Sequence, residues 1–269
     1  MRRARCRSFL GTALLSTALG FLGGSARADE QAAPALAAAL RRAQESGALP
    51  RILGEHRFTL TRTLWDLERQ PRGRTELEML YRVSLAEGVL AVAVDVRSPG
   101  APGGVAFVYS ADAATGRLQG LEARFPSGQE VSARLVGGTL RVIERAWGDE
   151  PATRQEPVDP DAVLPKVVGA FLLPMLHDQG LPARLPFRDL DPFGHLGRPA
   201  VFRRLLATGH ELVFCTDEGG ALPTTTLRVP LAGPWAHRVV EFATVSEAGK
   251  TPQGEDRVLH LARSVRRAE

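Results

Sequence analysis

The chain reads as mainly β, an α+β protein in which a curved antiparallel sheet, a half-barrel, wraps around an apolar helix and carries a short N-terminal helix. Three observations predict this. Apolar and polar residues alternate at period two through most of the chain. Short turn signals separate the alternating runs. One broad apolar stretch instead repeats in adjacent pairs every four residues.

The first 28 residues form a unit of their own. Arg2, Arg3, Arg5 and Arg7 make a positive start, Phe9–Leu22 is uncharged and apolar, and Ala26-Arg27-Ala28 is a small-x-small cleavage site. That order is the signature of a cleavable secretory signal. A retained anchor would need about 20 mostly apolar residues, and this run is rich in Gly, Ser and Thr. The expected destination is periplasmic or secreted, with no transmembrane anchor after cleavage. Asn is absent and Lys stands only at 166 and 250, which fits a GC-biased and hence bacterial source.

Setting the signal aside changes the charge argument. The whole chain carries 34 basic and 30 acidic side chains, a net of +4. Five of the arginines lie in residues 1–28, which hold no acid, so 29 basic side chains face 30 acidic ones in the remainder, a net of −1. Nucleic-acid binding needs a clustered positive surface. The remainder offers only Arg72 with Arg74, and a tail with Arg263, Arg266 and Arg267, read as solvated. No nucleic-acid partner is expected. Of the two cysteines only Cys215 follows the signal, so no intramolecular disulfide is expected. Residues 29–269 are long enough to bury one core and contain no long linker, so they read as one domain.

Residues 31–47 are Ala-rich, with Leu36, Leu40 and Ala43 on one face, and predict the N-terminal helix. In 75–85, Leu77, Met79, Tyr81, Val83 and Leu85 alternate with polar neighbours, and Leu90, Val92, Val94 and Val96 do so in 89–97. Glu87-Gly88 between them is a hairpin turn, and Gly137-Gly138 is another. Further strands are expected at 56–67, 104–110, 117–125, 129–136 and 138–146. Short turns between consecutive strands favour an antiparallel meander. Residues 148–160 read as a loop. Asp159-Pro160 then suits a helix start, and Val163, Leu164, Val167, Val168, Phe171, Leu172, Met175 and Leu176 form one apolar face over 161–177. Pro165 moves the expected start toward Leu164, and Pro174 should kink or end the helix. Residues 181–199 read as a loop, followed by strands at 200–207, 211–216, 224–230, 236–246 and 256–264.

No catalytic motif stands out. Cys215 would need a base such as His210 or His237 to act as a nucleophile, but it sits in the apolar run Leu212-Val213-Phe214-Cys215, where a small packing role is the simpler reading. The six histidines form no metal-ligand pair at helical or strand spacing, and Asp189-Leu190-Asp191 lacks the remainder of a calcium loop. Nucleophile-elbow serines and phosphate-cradling loops are also absent. No catalytic residue, metal or cofactor is assigned.

The signal, the N-terminal helix, the meander, the Pro-flanked apolar stretch Asp159–Leu176 and the following Leu185-Pro186-Phe187-Arg188-Asp189-Leu190-Asp191-Pro192 together resemble the LolA/LolB-like half-barrel superfamily of envelope proteins. The resemblance implies binding of acyl chains or other hydrophobic ligands inside a half-barrel, without catalysis. It transfers no individual site residue, and this chain is longer than the simplest carriers. The expectation is an exported protein that binds a hydrophobic ligand or an envelope partner. The residues expected to line a cavity are Leu77, Met79, Tyr81, Leu90, Val92 and Val94 on the sheet, and Phe171, Leu172 and Met175 on the helix. Two alternatives stand beside it: an envelope enzyme built on Cys215 or a His/Asp site, and an assembly protein with no small ligand.

Overall fold

The computed structural model describes residues 32–65, 71–99, 103–146, 148–181, 184–217, 225–248 and 258–266. The expected signal at 1–28 lies outside them, as do the ends of the expected strands at 66–67, 224 and 256–257. Helix α1 (Ala32–Glu45) and a 3-10 turn (Leu49–Ile52) precede a first meander of eight strands. These are β1 (Gly54–Trp65), β2 (Pro71–Ala86), β3 (Val89–Arg97), β4 (Gly104–Asp112), β5 (Leu118–Arg124), β6 (Glu130–Val136), β7 (Thr139–Arg145) and β8 (Ala152–Pro157). Helix α2 (Lys166–Leu176) and a 3-10 turn (His177–Gln179) follow. A second meander then comprises β9 (Arg184–Leu190), β10 (Leu196–Ala207), β11 (Glu211–Asp217), β12 (Thr225–Pro230), β13 (Glu241–Ala248) and β14 (Val258–Arg266).

All fourteen strands make one curved, unclosed antiparallel sheet, ordered β8-β7-β6-β5-β4-β3-β2-β1-β14-β13-β12-β11-β10-β9. The two meanders join where β14 pairs with β1, with Phe58 opposite Arg266 and Leu60 opposite Ser264. Glu87 and Gly88 both take positive φ, 50° and 77°, as do Gly137 and Gly138 at 56° and 78°. Two successive left-handed residues match the right-handed twist of the flanking strands, so these hairpins turn in two residues. No helix among the described residues is long and apolar enough to cross a membrane.

The structure corrects four element boundaries. The expected loop 148–160 contains β8, which carries no apolar alternation because it is an edge strand with little to bury. The expected loop 181–199 contains β9 and the start of β10. Pro186 is tolerated in β9 because β9 is the other edge, where one side of the strand needs no ladder donor, and Pro199 sits at a register shift in β10. The expected strand 236–246 begins only at Glu241. Its first residues form turns, with Ala236 N–H bonded to Gly233 O, Arg238 N–H bonded to Trp235 O, and His237 at φ 59°. Helix α2 begins at Lys166, not near Asp159: Asp159 closes a local turn on the Asp161 N–H, and Pro165 sets the true boundary. The first α2 amide, Lys166 N–H, is satisfied from β9 by Asp189 Oδ1 at 2.8 Å. The helix runs two residues past Pro174 before tightening, and Gly180 ends the turn at φ 75°.

One apolar core lies on the inner face of the sheet. Buried Leu90, Val92, Val94, Tyr109, Leu121, Ala123, Val131, Leu140 and Val142 form its first-meander wall, and α2 is buried from Val168 to Leu176. The turn joining β9 to β10 reaches across this wall. Tyr109 donates its hydroxyl to Leu190 O at 2.6 Å, and Phe193 stacks on Phe125 at 4.6 Å. Gly194 lies so close that a Cβ there would come within 2.7 Å of Val142 Cγ1. Helix α1 closes one end: Leu36 and Leu40 lie against Gly116, and Arg42 Nε donates to Gln179 O at 2.8 Å. The β9 edge is covered by the chain itself, since Leu164 N–H bonds to Arg188 O and Arg188 N–H to Ala162 O.

Candidate functional site

Alternation along β1, β2 and β10–β13 brings a second set of side chains to the inner face, opposite the first half of α2. Leu60, Met79 and Tyr81 come from the first meander; Phe202, Leu227 and Phe242 come from the second; Val167 and Ala170 come from the helix. Between them lies a cavity of about 230 Å³. Its polar groups are Lys166, Thr216, Thr225 and Thr244. The threonines are neighbours in register, Thr216 opposite Thr225 and Thr225 opposite Thr244, and the Thr225 and Thr244 hydroxyls are 3.2 Å apart. Lys166 Nζ lies 3.8 Å from the Asp189 carboxylate.

The deep end of the cavity is aromatic. Tyr81 lies 5.3 Å from Phe171, 5.4 Å from Phe58 and 6.0 Å from Phe242, ring centre to ring centre. Burial pushes the Tyr81 hydroxyl well above the usual phenol range, so it remains a neutral group. Behind this cluster the Arg266 guanidinium lies between Phe58 and Trp235, 4.9 and 4.8 Å from their ring centres. Arg266, expected in a solvated tail, is therefore buried instead, because β14 inserts it between β1 and the 231–240 turns. It donates to Val239 O at 2.9 Å and to His56 Nδ1 at 3.0 Å. Since a guanidinium only donates, Nδ1 accepts, and Nε2 carries the proton given to Ile52 O at 2.8 Å. The floor thus rests on a hydrogen-bonded Arg–His pair facing away from the cavity.

Of the residues expected to line a cavity, Met79 and Tyr81 do so. Leu90, Val92, Val94, Phe171, Leu172 and Met175 are closed inside the core, and Leu77 is buried without reaching the cavity. Sequence reasoning missed the second-meander half of the lining. Its signal was present in the alternation of Phe214 and Thr216, Thr225 and Leu227, and Phe242 and Thr244, but periodicity does not say which strands oppose β2.

Cys215 is fully buried and projects from the strand face opposite its neighbour Thr216. His210 lies five residues away, roughly 16 Å along an extended strand. His237 belongs to that same far end, since its N–H bonds to Pro230 O and Pro230 pairs with Glu211. The three do not converge. Asp191 accepts the Phe193 and His195 amides in a turn, and Asp189 serves the α2 start. No cluster of three metal-ligating side chains occurs among the described residues.

A larger concavity, about 700 Å³, lies on the outer face of β3–β7 over Ala93, Ala106, Val108 and Ile143. Its charges are largely satisfied by one another, as in Arg82–Asp95, Arg124–Glu130 and Arg134–Glu122. It lacks the aromatic enclosure of the inner cavity.

No protein-family model matches the chain, and no curated protein matches it. A solved structure from Nostoc punctiforme, a protein of unknown function from the DUF3598 family, aligns over 82% of this chain and 98% of its own, at 10% identity and a TM-score of 0.17. That likeness carries no argument about fold or activity.

Proposed function

We propose that the protein is exported to the bacterial cell envelope and there binds a hydrophobic ligand without catalysis, in the cavity between α2 and the β10–β13 wall. One observation carries the reading: an aromatic and aliphatic cavity remains open beside a helix that fills the rest of the half-barrel. A concave apolar site with a few convergent polar groups is the usual form of a small-molecule site. The LolA/LolB-like resemblance points the same way, and the Arg-rich, apolar start of the chain supports export. At about 230 Å³ the cavity is smaller than the roughly 300–1,000 Å³ that engulfs a drug-sized molecule. It suits a short ligand or one end of a longer chain, each buried methylene contributing about 0.8 kcal/mol.

Native mass spectrometry of protein purified from its own cells tests this. The expected result is a bound species of lipid-like mass, released by solvent extraction and lost in Thr244→Phe, which fills the mouth. Protein that arrives empty and takes up none of a series of acyl chains would overturn the reading.

A further inference from the structure

Resting on that reading, we propose that the ligand is a single-chain amphiphile with an anionic headgroup, held at the mouth by Arg62 and Lys166. The strand register defines the mouth. Across the sheet the row runs Thr216, Thr225, Thr244, Ala262, Arg62, Thr75, each opposite the next. Arg62 stands two residues beyond the cavity-lining Leu60 and four beyond the core residue Phe58, so it shares their inner face. It is exposed, whereas Leu60 is buried, which places the edge of the apolar lining between them. Lys166 reaches the same cavity from the start of α2.

The threonine hydroxyls both donate and accept, so they admit any polar head and choose none. The cations make the choice. Among the described side chains, Asp189 is the carboxylate that approaches Lys166, at the long separation of 3.8 Å. One carboxylate against two cations leaves a positive mouth above an apolar interior, the complement of a negative head on a hydrocarbon tail. A planar carboxylate or a phosphate would each suit the Arg62 guanidinium. The cavity volume admits one chain and not a bundle of them.

Isothermal titration of the protein lacking its signal, with dodecanoate, dodecanol and dodecyltrimethylammonium below their micelle concentrations, tests the headgroup separately from the tail. Dodecanoate is expected to bind about tenfold more tightly than dodecanol, a difference of ~1.4 kcal/mol. High salt should shrink that gap by screening. The double variant R62Q/K166Q should abolish it while leaving dodecanol affinity unchanged, which also shows that the variant is folded. Equal binding of dodecanoate and dodecanol, or preference for the ammonium, overturns the headgroup inference and leaves the hydrophobic site standing. Binding of none of the three overturns both. A lysophospholipid and an alkyl phosphate, added as further arms, distinguish a lipid source from a fatty-acid source once dodecanoate binds.

Discussion

The two meanders build the same kind of wall and bury it differently. The wall of β3–β7 is closed by the protein's own β9–β10 turn, through Leu190, Phe193 and Gly194, and by Leu36 and Leu40 of α1. The wall of β10–β13 is faced by α2 alone in its upper part, and there threonines replace aliphatic side chains and a cavity remains. The contrast teaches that filling a half-barrel and leaving room in it are local decisions. A few side chains at the open end make the difference, with the sheet unchanged.

The largest expected effect lies in the closed wall. Leu121 is fully buried on β5, and Leu121→Ala should cost about 2–5 kcal/mol, read as a lower denaturation midpoint at constant slope. A cost well under that range would mean the closed wall tolerates space as the open one does. Next is the turn that closes it. Gly194 and Gly233 both have positive φ, 78° and 85°, but only Gly194 meets a neighbour, Val142. Both Gly→Ala changes should cost roughly 1–2 kcal/mol of backbone strain. Gly194→Ala should cost a further ~1 kcal/mol or more for the lost fit. Equal losses would show that the turn does not dock on the wall.

The smallest effect separates the outer faces. In the second meander Glu241 sits between Arg263 and Arg228, and Arg228 continues to Glu211. Hydrogen bonding from Arg263, then from Arg228, holds the Glu241 carboxyl below its ordinary range despite partial desolvation. A carboxyl depressed in the folded state stabilises above its unfolded value, near pH ~4.3, and loses that contribution as pH falls through the folded value. Hydrogen exchange of β12 and β13 should therefore accelerate in that window, by under ~1 kcal/mol in opening free energy because the arginines are half exposed. The change should vanish in Glu241→Gln. Glu55 in the first meander is likewise lowered, chiefly by Arg82, but it is fully exposed, so β1 and β2 should respond less.

Much of the fold was legible because alternation marks strands with one dry face. Leu90, Val92 and Val94 announced β3, and Glu87-Gly88 announced its turn. The edge strands were not legible for opposite reasons. Residues 152–157 bury too little to show a period, while β9 buries Leu185, Phe187 and Leu190 but carries a proline that argues against a strand anywhere except an edge. The cavity was legible only through Met79 and Tyr81. Whether a dry-face residue borders packed core or open space depends on which strands oppose it, and the β1–β14 junction that brings Phe242 beside Tyr81 joins residues about as far apart in the chain as it allows. Arg266 is the clearest case: at the tail of the sequence it looks like surface, and only the same junction reveals it as interior.

Lysine is so rare in this protein that Lys166 is one of two, the other being Lys250. The cavity mouth therefore holds half of all the side-chain amines in the molecule. An amine-directed reagent or a lysine-specific protease addresses the mouth at a single covalent site, and the modified peptide can be counted directly. Arginine carries nearly all of the positive charge elsewhere, so this chemistry leaves the ion pairs of the outer face untouched.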